Sequence, residues 1–439
     1  MHVLDHLLSR VRQTYVTPAP GSTPFLRVVS VGPESSAVVA RHDPCWHRGR
    51  LPTSVRSMQI EFNSSPRSSL GVEWELELID LDTRELADGA SDILGEMRPE
   101  GAQEHPKAKH ELLESTIEVI TGVCSTVAEA RADLAETVEL VAAQAAKRNL
   151  GVMCSGSHPF SDWASQTISP NPRYAKLVED MQWLARRMQI FGIHVHVGVR
   201  SPAKVIPFVN ALTAYVPHFL ALSASSPYWM GKDTGLASSR SKVFEGLPTA
   251  GLPYSLTDWA EFELYMETLI STRTIESVRE VWWDIRPHPR FGTVELRICD
   301  GLSTLDEITA VAALSQCLVE SLDRDMDRGY TLPIPKAWII RENKWRAARY
   351  GLDTEIILGR NRTQPIRDAI TDLVDDLMPI AKRLDCEAEL GGVLQILEVG
   401  ASYERQRRVA AANGGDLTAV VDSLIAEMRD GIPAKPLTV

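Results

Sequence analysis

A chain of 439 residues with 44% hydrophobic content can bury one large core or two moderate ones. Its net charge of -12, with no basic stripe interleaved with aromatics, argues against a nucleic-acid binder. No apolar run approaches the roughly 18 residues of a membrane span. The six cysteines are scattered with no CxxC pair, which reads as reduced thiols in a cytoplasmic protein.

Residues 1–57 carry Pro18, Pro20, Pro24, Pro33, Pro44 and Pro52 and little sustained periodicity, so they are expected to form a flexible leader. Met1 to Arg12 has the pattern of a short amphipathic helix but not the apolar core of a signal peptide. A cleaner segment opens at Met58. Beyond it the chain alternates strands with long helices. Gly71–Leu78 and Ser115–Val119 read as strands. Thr126 and Glu129 form a capping-box pattern at the head of a helix that ends at Lys147-Arg148. A buried strand, Val152–Cys154, leads into Gly156-Ser157-His158-Pro159. Tyr174 to Phe191 reads as a helix feeding the strand Ile193–Val197, and Pro202 to Leu222 as another helix. Residues 226–256, rich in Gly, Ser and Pro, read as a functional loop. Thr293–Ile298 is a strand, Ser303 caps a helix to about Arg328, and Ala337 to Met428 is helical by periodicity.

Four of these strands share one design. Side chains alternate with period two, so Glu73, Glu75 and Glu77 fall on one side of their strand while Val72, Trp74, Leu76 and Leu78 fall on the other. Glu118, the pair His194 and His196, and the pair Glu295 and Arg297 are set in the same way. Like charges on a half-buried sheet repel, and buried carboxylates are costly without partners. If the four strands share a sheet, that face needs cations, and Mg²⁺ holding a nucleoside triphosphate suits the side chains. Each motif also has a plainer reading. Acids on a strand are often a solvated face, and His-x-His is either one core and one exposed histidine or a zinc pair. Glu295 and Arg297 can be a simple ion pair, His158 and His288 loop packing, and Trp282 and Trp283 core.

In sequence order, the chain then shows Leu70-Gly-Val-Glu-Trp-Glu75, ELLESTIEVITG from Glu111 to Gly122, Gly156-Ser-His-Pro159 and Gly192-Ile-His-Val-His-Val-Gly198. Leu222 to Pro227, Gly231 to Arg240, VWWDIR from Val281 to Arg286, Thr293 to Arg297 and Glu342 to Gly351 follow. As an ordered set from about Leu70 to about Arg408 they resemble the second family of glutamate–cysteine ligases, the bacterial carboxylate–amine ligases, and more distantly glutamine synthetase.

The resemblance implies an α+β fold over 58–439: a glutamine-synthetase-like catalytic domain with a mostly antiparallel curved sheet, a half-barrel funnel, with helices packed outside and a helical C-terminal part. It implies ATP as nucleotide with Mg²⁺ or Mn²⁺, and an acyl phosphate on the γ-carboxylate of glutamate that is attacked by cysteine or another small amine. Position by position, Glu75 and Glu118 resemble ligands of the metal beside the carboxylate substrate, with Glu111 as a third. Glu73, His194 and Glu295 resemble the set bridging the ATP phosphates, and His196 matches a position that hydrogen-bonds phosphate. Arg297 matches the residue stabilising the transferred phosphoryl group, and Arg240 and Arg286 suit substrate carboxylate or phosphate. The implied partners are small molecules, with neither nucleic acid nor membrane; a homo-oligomer is compatible. The role of Glu77 stays open. A zinc hydrolase built on His194 and His196, or a catalytically silent relative, remain the alternatives.

Overall fold

The computed structural model describes residues 58–431 and Pro433. The leader expected over 1–57, with its short helix, lies outside the described residues. Met58 and Ile60 are already tied in, their backbone N–H groups donating to Glu267 and Glu263, and Phe62 packs edge-on against Trp259.

In chain order come β1 (Leu70–Asp80), α1 (Ala90–Met97), β2 (Ala108–His110), β3 (Thr116–Ile120) and α2 (Val127–Ala146). Next are β4 (Leu150–Met153), α3 (Pro172–Met181), α4 (Trp183–Arg186), β5 (Ile193–Gly198), α5 (Pro202–Leu212) and α6 (Val216–Ser223). A short hairpin, β6 (Tyr228–Trp229) and β7 (Lys232–Asp233), precedes α7 (Arg240–Phe244), α8 (Trp259–Ser271), β8 (Ile285–His288) and β9 (Thr293–Leu296). The rest is α9 (Leu305–Asp327), α10 (Ala337–Tyr350), the hairpin β10 (Glu355–Gly359) and β11 (Arg362–Pro365), then α11 (Ile366–Leu384), α12 (Glu387–Val399), α13 (Ser402–Ala412) and α14 (Leu417–Asp430).

One sheet organises the molecule, in the order β2-β3-β1-β5-β9-β8, every neighbouring pair antiparallel. β1 is its spine. One edge pairs with β3; the other pairs with β5 over Leu70–Trp74 and with β4 over Glu77–Asp80. Val72, Trp74, Leu76 and Leu78 are almost wholly buried against the helices on one face. Behind the sheet runs α9, buried nearly all round between Glu307 and Asp323, as a helix enclosed by α2, α11, α12 and β5 must be.

Several local expectations shift. The expected helix from Tyr174 to Phe191 breaks at Gln182, whose positive φ of 48° cannot continue a helix, and residues 187–192 run irregularly into β5. The α9 cap is Thr304, accepting from the Glu307 N–H, rather than Ser303. The 226–256 loop holds β6, β7 and α7. Its hairpin turns at Met230 and Gly231, both at positive φ as a two-residue turn requires. The C-terminal part is helical except for the β10–β11 hairpin. Pro202–Ser223 is long and apolar enough by mean hydropathy (1.5) to cross a membrane, contrary to the sequence reading, yet 83% of that window is buried inside the protein. The five cysteines among the described residues are buried and unbridged.

Candidate active site

Register brings the polar side chains of four strands together. Glu73 stands directly opposite His194 across β1 and β5, Glu75 opposite Glu118 across β1 and β3, and Glu295 opposite both His196 and Arg286 across β9. Glu111, just past β2, reaches the same face. Three overlapping sets of donor atoms result, each within 4.8 Å: Glu73, His196 and Glu295; Glu73, Glu118 and His194; Glu75, Glu111 and Glu118. All six residues expected to ligate metal are therefore present. The grouping differs from the expected one, because His196 rather than His194 stands with Glu73 and Glu295, being the histidine paired to β9. Among the described residues no set contains both imidazoles.

The electrostatics divide these acids. Burial, reinforced by the charge of Glu111, pushes the Glu75 carboxyl up to about 8. Burial likewise raises Glu118 well above the usual range, with Glu73, Glu111 and Glu75 adding to it, and it raises Glu111. A cation among these three would replace the protons they otherwise keep. Glu73 and Glu295 behave oppositely. Burial opposes their ionisation, but the His196 and His194 imidazoles hold Glu73 well below the carboxylate range, and Arg286 and Arg297 do the same for Glu295. The two histidines are held differently. His194 Nδ1 lies 2.8 Å from Glu73 Oε2, and burial together with Arg297 pushes it down to about 4. His196 Nδ1 lies 3.0 Å from Thr293 Oγ1, and its buried Nε2 lies 3.3 Å from Glu73 Oε1. A hard-oxygen set with imidazole lone pairs, each ring oriented by a second contact, fits Mg²⁺ or Mn²⁺.

Arginines complete the arrangement. Glu295 is sealed from solvent and receives Arg286 Nε at 2.7 Å and Arg297 Nη1 at 2.5 Å. Arg240, also buried, makes long contacts to the carbonyls of Arg297 and Ile298 and lies 4.0 Å from the Asp300 carboxylate, and its Nε has no hydrogen-bond partner among the described residues. Its guanidinium lies against Gly192, where any Cβ would collide with it. These side chains line a cavity of about 580 Å³, with Glu73, Glu75, Glu111, Glu118 and His194 in its wall. His196 and Glu295 lie behind that lining, buried.

Other motif residues prove to be scaffolding. Asp300, which the sequence did not single out, accepts from Ser226 Oγ, Ser238 Oγ and the Ser225 N–H, and Ser226 accepts the Arg240 N–H. Gly156 passes so close to Asp300 that a side chain there would collide. The serine-rich motifs thus converge on one carboxylate and seat Arg240. Glu77, on the same face of β1 as Glu73 and Glu75, is not part of the cavity wall. It accepts from Ser155 N and Oγ, and burial raises it well above the carboxylate range. His158 accepts from the Ser161 N–H as a loop residue. His288, read as loop packing, stacks on Phe291 at 4.2 Å and lines the cavity. Trp283 is core, whereas Trp282 shows part of its surface to the cavity.

Residues 69–423 match the model of glutamate–cysteine ligase family 2. A provisionally named glutamate–cysteine ligase 2-1 of Frankia alni is 63% identical over 378 residues, covering 86% of this chain and 99% of its own. A provisionally named glutamate–cysteine ligase 2 of Thermobifida fusca is 54% identical, with 86% and 95% coverage. Among solved structures, a bifunctional glutathione synthetase from Pasteurella multocida superposes with TM-score 0.61 at 15% identity, over 82% of this chain and 52% of that one. Glutamate–cysteine ligase from Francisella tularensis, in complex with AMP, superposes with TM-score 0.54 at 14% identity, over 84% and 94%. The fold is glutamine-synthetase-like, as the sequence motifs implied.

Proposed function

The chain belongs to glutamate–cysteine ligase family 2, ATP-dependent ligases that form C–N bonds, and from that premise we propose that it activates the γ-carboxylate of glutamate as an acyl phosphate and passes the acyl group to a small-molecule amine. The observation that carries this reading is the run of three overlapping donor sets beside the Glu295-bound arginines. Carboxylate oxygen attacks the γ-phosphorus of ATP, and ADP leaves. The amine nitrogen then attacks the acyl carbon, and phosphate departs with that carboxylate oxygen while the nitrogen gives up a proton.

Both reactants of the first step are anions, so the chemistry depends on neutralising charge. Divalent cations held by Glu73, Glu75, Glu111, Glu118, His194, His196 and Glu295 would supply Lewis-acid neutralisation of the phosphates. In our reading, Arg297 offers its guanidinium to the charge on the transferred phosphoryl group. Arg286 keeps Glu295 ionised and oriented, and Arg240, whose Nη contacts are long and whose Nε has no partner among the described residues, offers its guanidinium to a substrate carboxylate. Buried, unbridged thiols support a reducing cytoplasmic setting.

The test uses glutamate labelled with ¹⁸O in its side-chain carboxylate. One labelled oxygen should appear in phosphate for each amide formed. Unlabelled phosphate beside amide would overturn the acyl-phosphate step, and amide made without ATP consumption would overturn the ligase reading.

A further inference from the structure

Beyond the sheet the cavity lining is mixed: charged side chains such as Arg173, Lys176, Asp180 and Glu280 stand beside one apolar patch. Met181, Met188, Ile190, Phe244, Leu247 and Trp282 form that patch, the apolar wall. Ile190, Phe244, Leu247 and Trp282 belong to one hydrophobic cluster, each under 10% exposed, with Met181 and Met188 packed against it. All six line the cavity. Three separate stretches of chain supply the six residues, so the wall is built by the fold and does not belong to one helix face.

Its position follows from a chain of contacts. Glu75 accepts the Gly192 N–H at 2.5 Å, Gly192 lies against the Arg240 guanidinium, and Arg240 stands 5.7 Å from the Phe244 ring. The apolar wall is therefore next to Glu75 and Arg240. The opposite end of the cavity, four residues further along β5 and roughly 13 Å away at strand spacing, holds His288 and Phe291 beside His196. That end also gathers Arg286 and Arg297 around Glu295.

Three molecules must share the space. A polyphosphate belongs with the clustered cations at the Glu295 end. Glutamate is charged at both ends and gains nothing from methionine, phenylalanine and leucine. The wall is left for the third. Resting on the ligase reading above, we propose that the amine acceptor is an amino acid with a bulky apolar side chain, seated against Met188, Phe244, Leu247 and Trp282. An apolar side chain larger than that of cysteine would cover this surface and exclude water from the acyl carbon, where hydrolysis would otherwise compete.

A coupled assay of ADP release, with ATP, Mg²⁺ and glutamate held constant, tests this against phenylalanine, leucine, methionine, cysteine and glycine. The apolar amino acids should exceed cysteine and glycine in kcat/KM by about tenfold or more, the discrimination a hydrophobic pocket gives for a few methylenes. ADP release led by cysteine or glycine would overturn the proposal and leave the ligase reading standing. No amine-dependent ADP release or amide with any of them would overturn both. Met188→Gln, and independently Met181→Gln, should raise KM for the preferred apolar amine about fivefold or more while moving KM for ATP less than about twofold. A rise confined to KM for ATP would assign the wall to the adenine and overturn the proposal.

Discussion

Lys344 donates to Asp284 at 2.6 Å, with the two side chains only 3% and 2% exposed, and it also reaches Glu245 at 2.5 Å. Asp284 is two residues before Arg286, and its carbonyl accepts the Arg297 N–H. Glu245 ends α7, which carries Arg240 and Phe244. One ammonium group on α10 therefore ties together the segments that carry all three arginines of the site. Removing it leaves Asp284 uncompensated in the interior, whereas Glu245, 30% exposed, keeps Lys242 at 2.9 Å. Lys344→Met should cost about 3–5 kcal/mol, read as a lower urea midpoint at neutral pH. A loss under about 1 kcal/mol would mean that the site is braced by other contacts.

Metal dependence follows from the raised acids. Activity should require Mg²⁺ or Mn²⁺ and survive a zinc-selective chelator; stoichiometric zinc whose removal abolishes activity would contradict this. Glu75 carries its proton up to about 8, against an ordinary 4.5. Without metal, its contribution to stability is full below about 4.5 and declines as pH rises towards 8. A cation must displace that proton, so Mn²⁺ affinity should rise between about pH 6 and 8 with net proton release. Calorimetric titration in two buffers of different ionisation enthalpy measures it directly.

Arg297 and Arg286 both hold Glu295, but they should fail differently when removed. Arg297→Ala should lower kcat by about 10³-fold, if its charge serves the transferred phosphoryl group. Arg286→Ala should chiefly destabilise the protein, because Glu295 then keeps only one of its two buried arginines. Glu295→Gln should weaken binding of the nucleotide with its metal. Near-wild-type turnover for Arg297→Ala would remove that residue from the catalytic set.

A chain beginning at Met58 should fold and keep its activity. Met58 and Ile60 already dock on Glu267 and Glu263, and the Frankia alni relative is matched over 99% of its length by 378 residues of this chain. Insolubility or inactivity of that shorter chain, beside an active full-length control, would show that residues 1–57 have a structural role.

The donor set was readable because strand alternation is local: Glu73, Glu75, Glu118, His194, His196, Glu295 and Arg297 each declare their side of the sheet within a few residues. Which donor meets which was not readable. His194 and His196 point the same way, and only the pairing of β5 with β1 on one edge and β9 on the other separates them. The apolar wall was invisible for another reason. Met188, Phe244 and Leu247 look like ordinary core residues until distant segments leave a gap between them. Asp300 was missed because its serine partners lie 62 to 75 residues away. The break at Gln182 depends on a positive φ that no composition rule assigns to glutamine.

β1 pairs with three strands and carries two cavity-facing acids at alternate positions, with Trp74 between them and Leu76 beyond. Such a strand keeps parity as well as chemistry. One residue inserted between Glu73 and Glu75 would turn everything beyond it over, sending Trp74 or Leu76 into the cavity and an acid into the core. Descendants of this sequence can exchange a ligand for another donor, or rebuild the wall around Phe244 to accept a different amine. They cannot change the length of β1. Diversification of this enzyme is therefore expected as substitutions in the spine, with insertions and deletions confined to the loops beyond it.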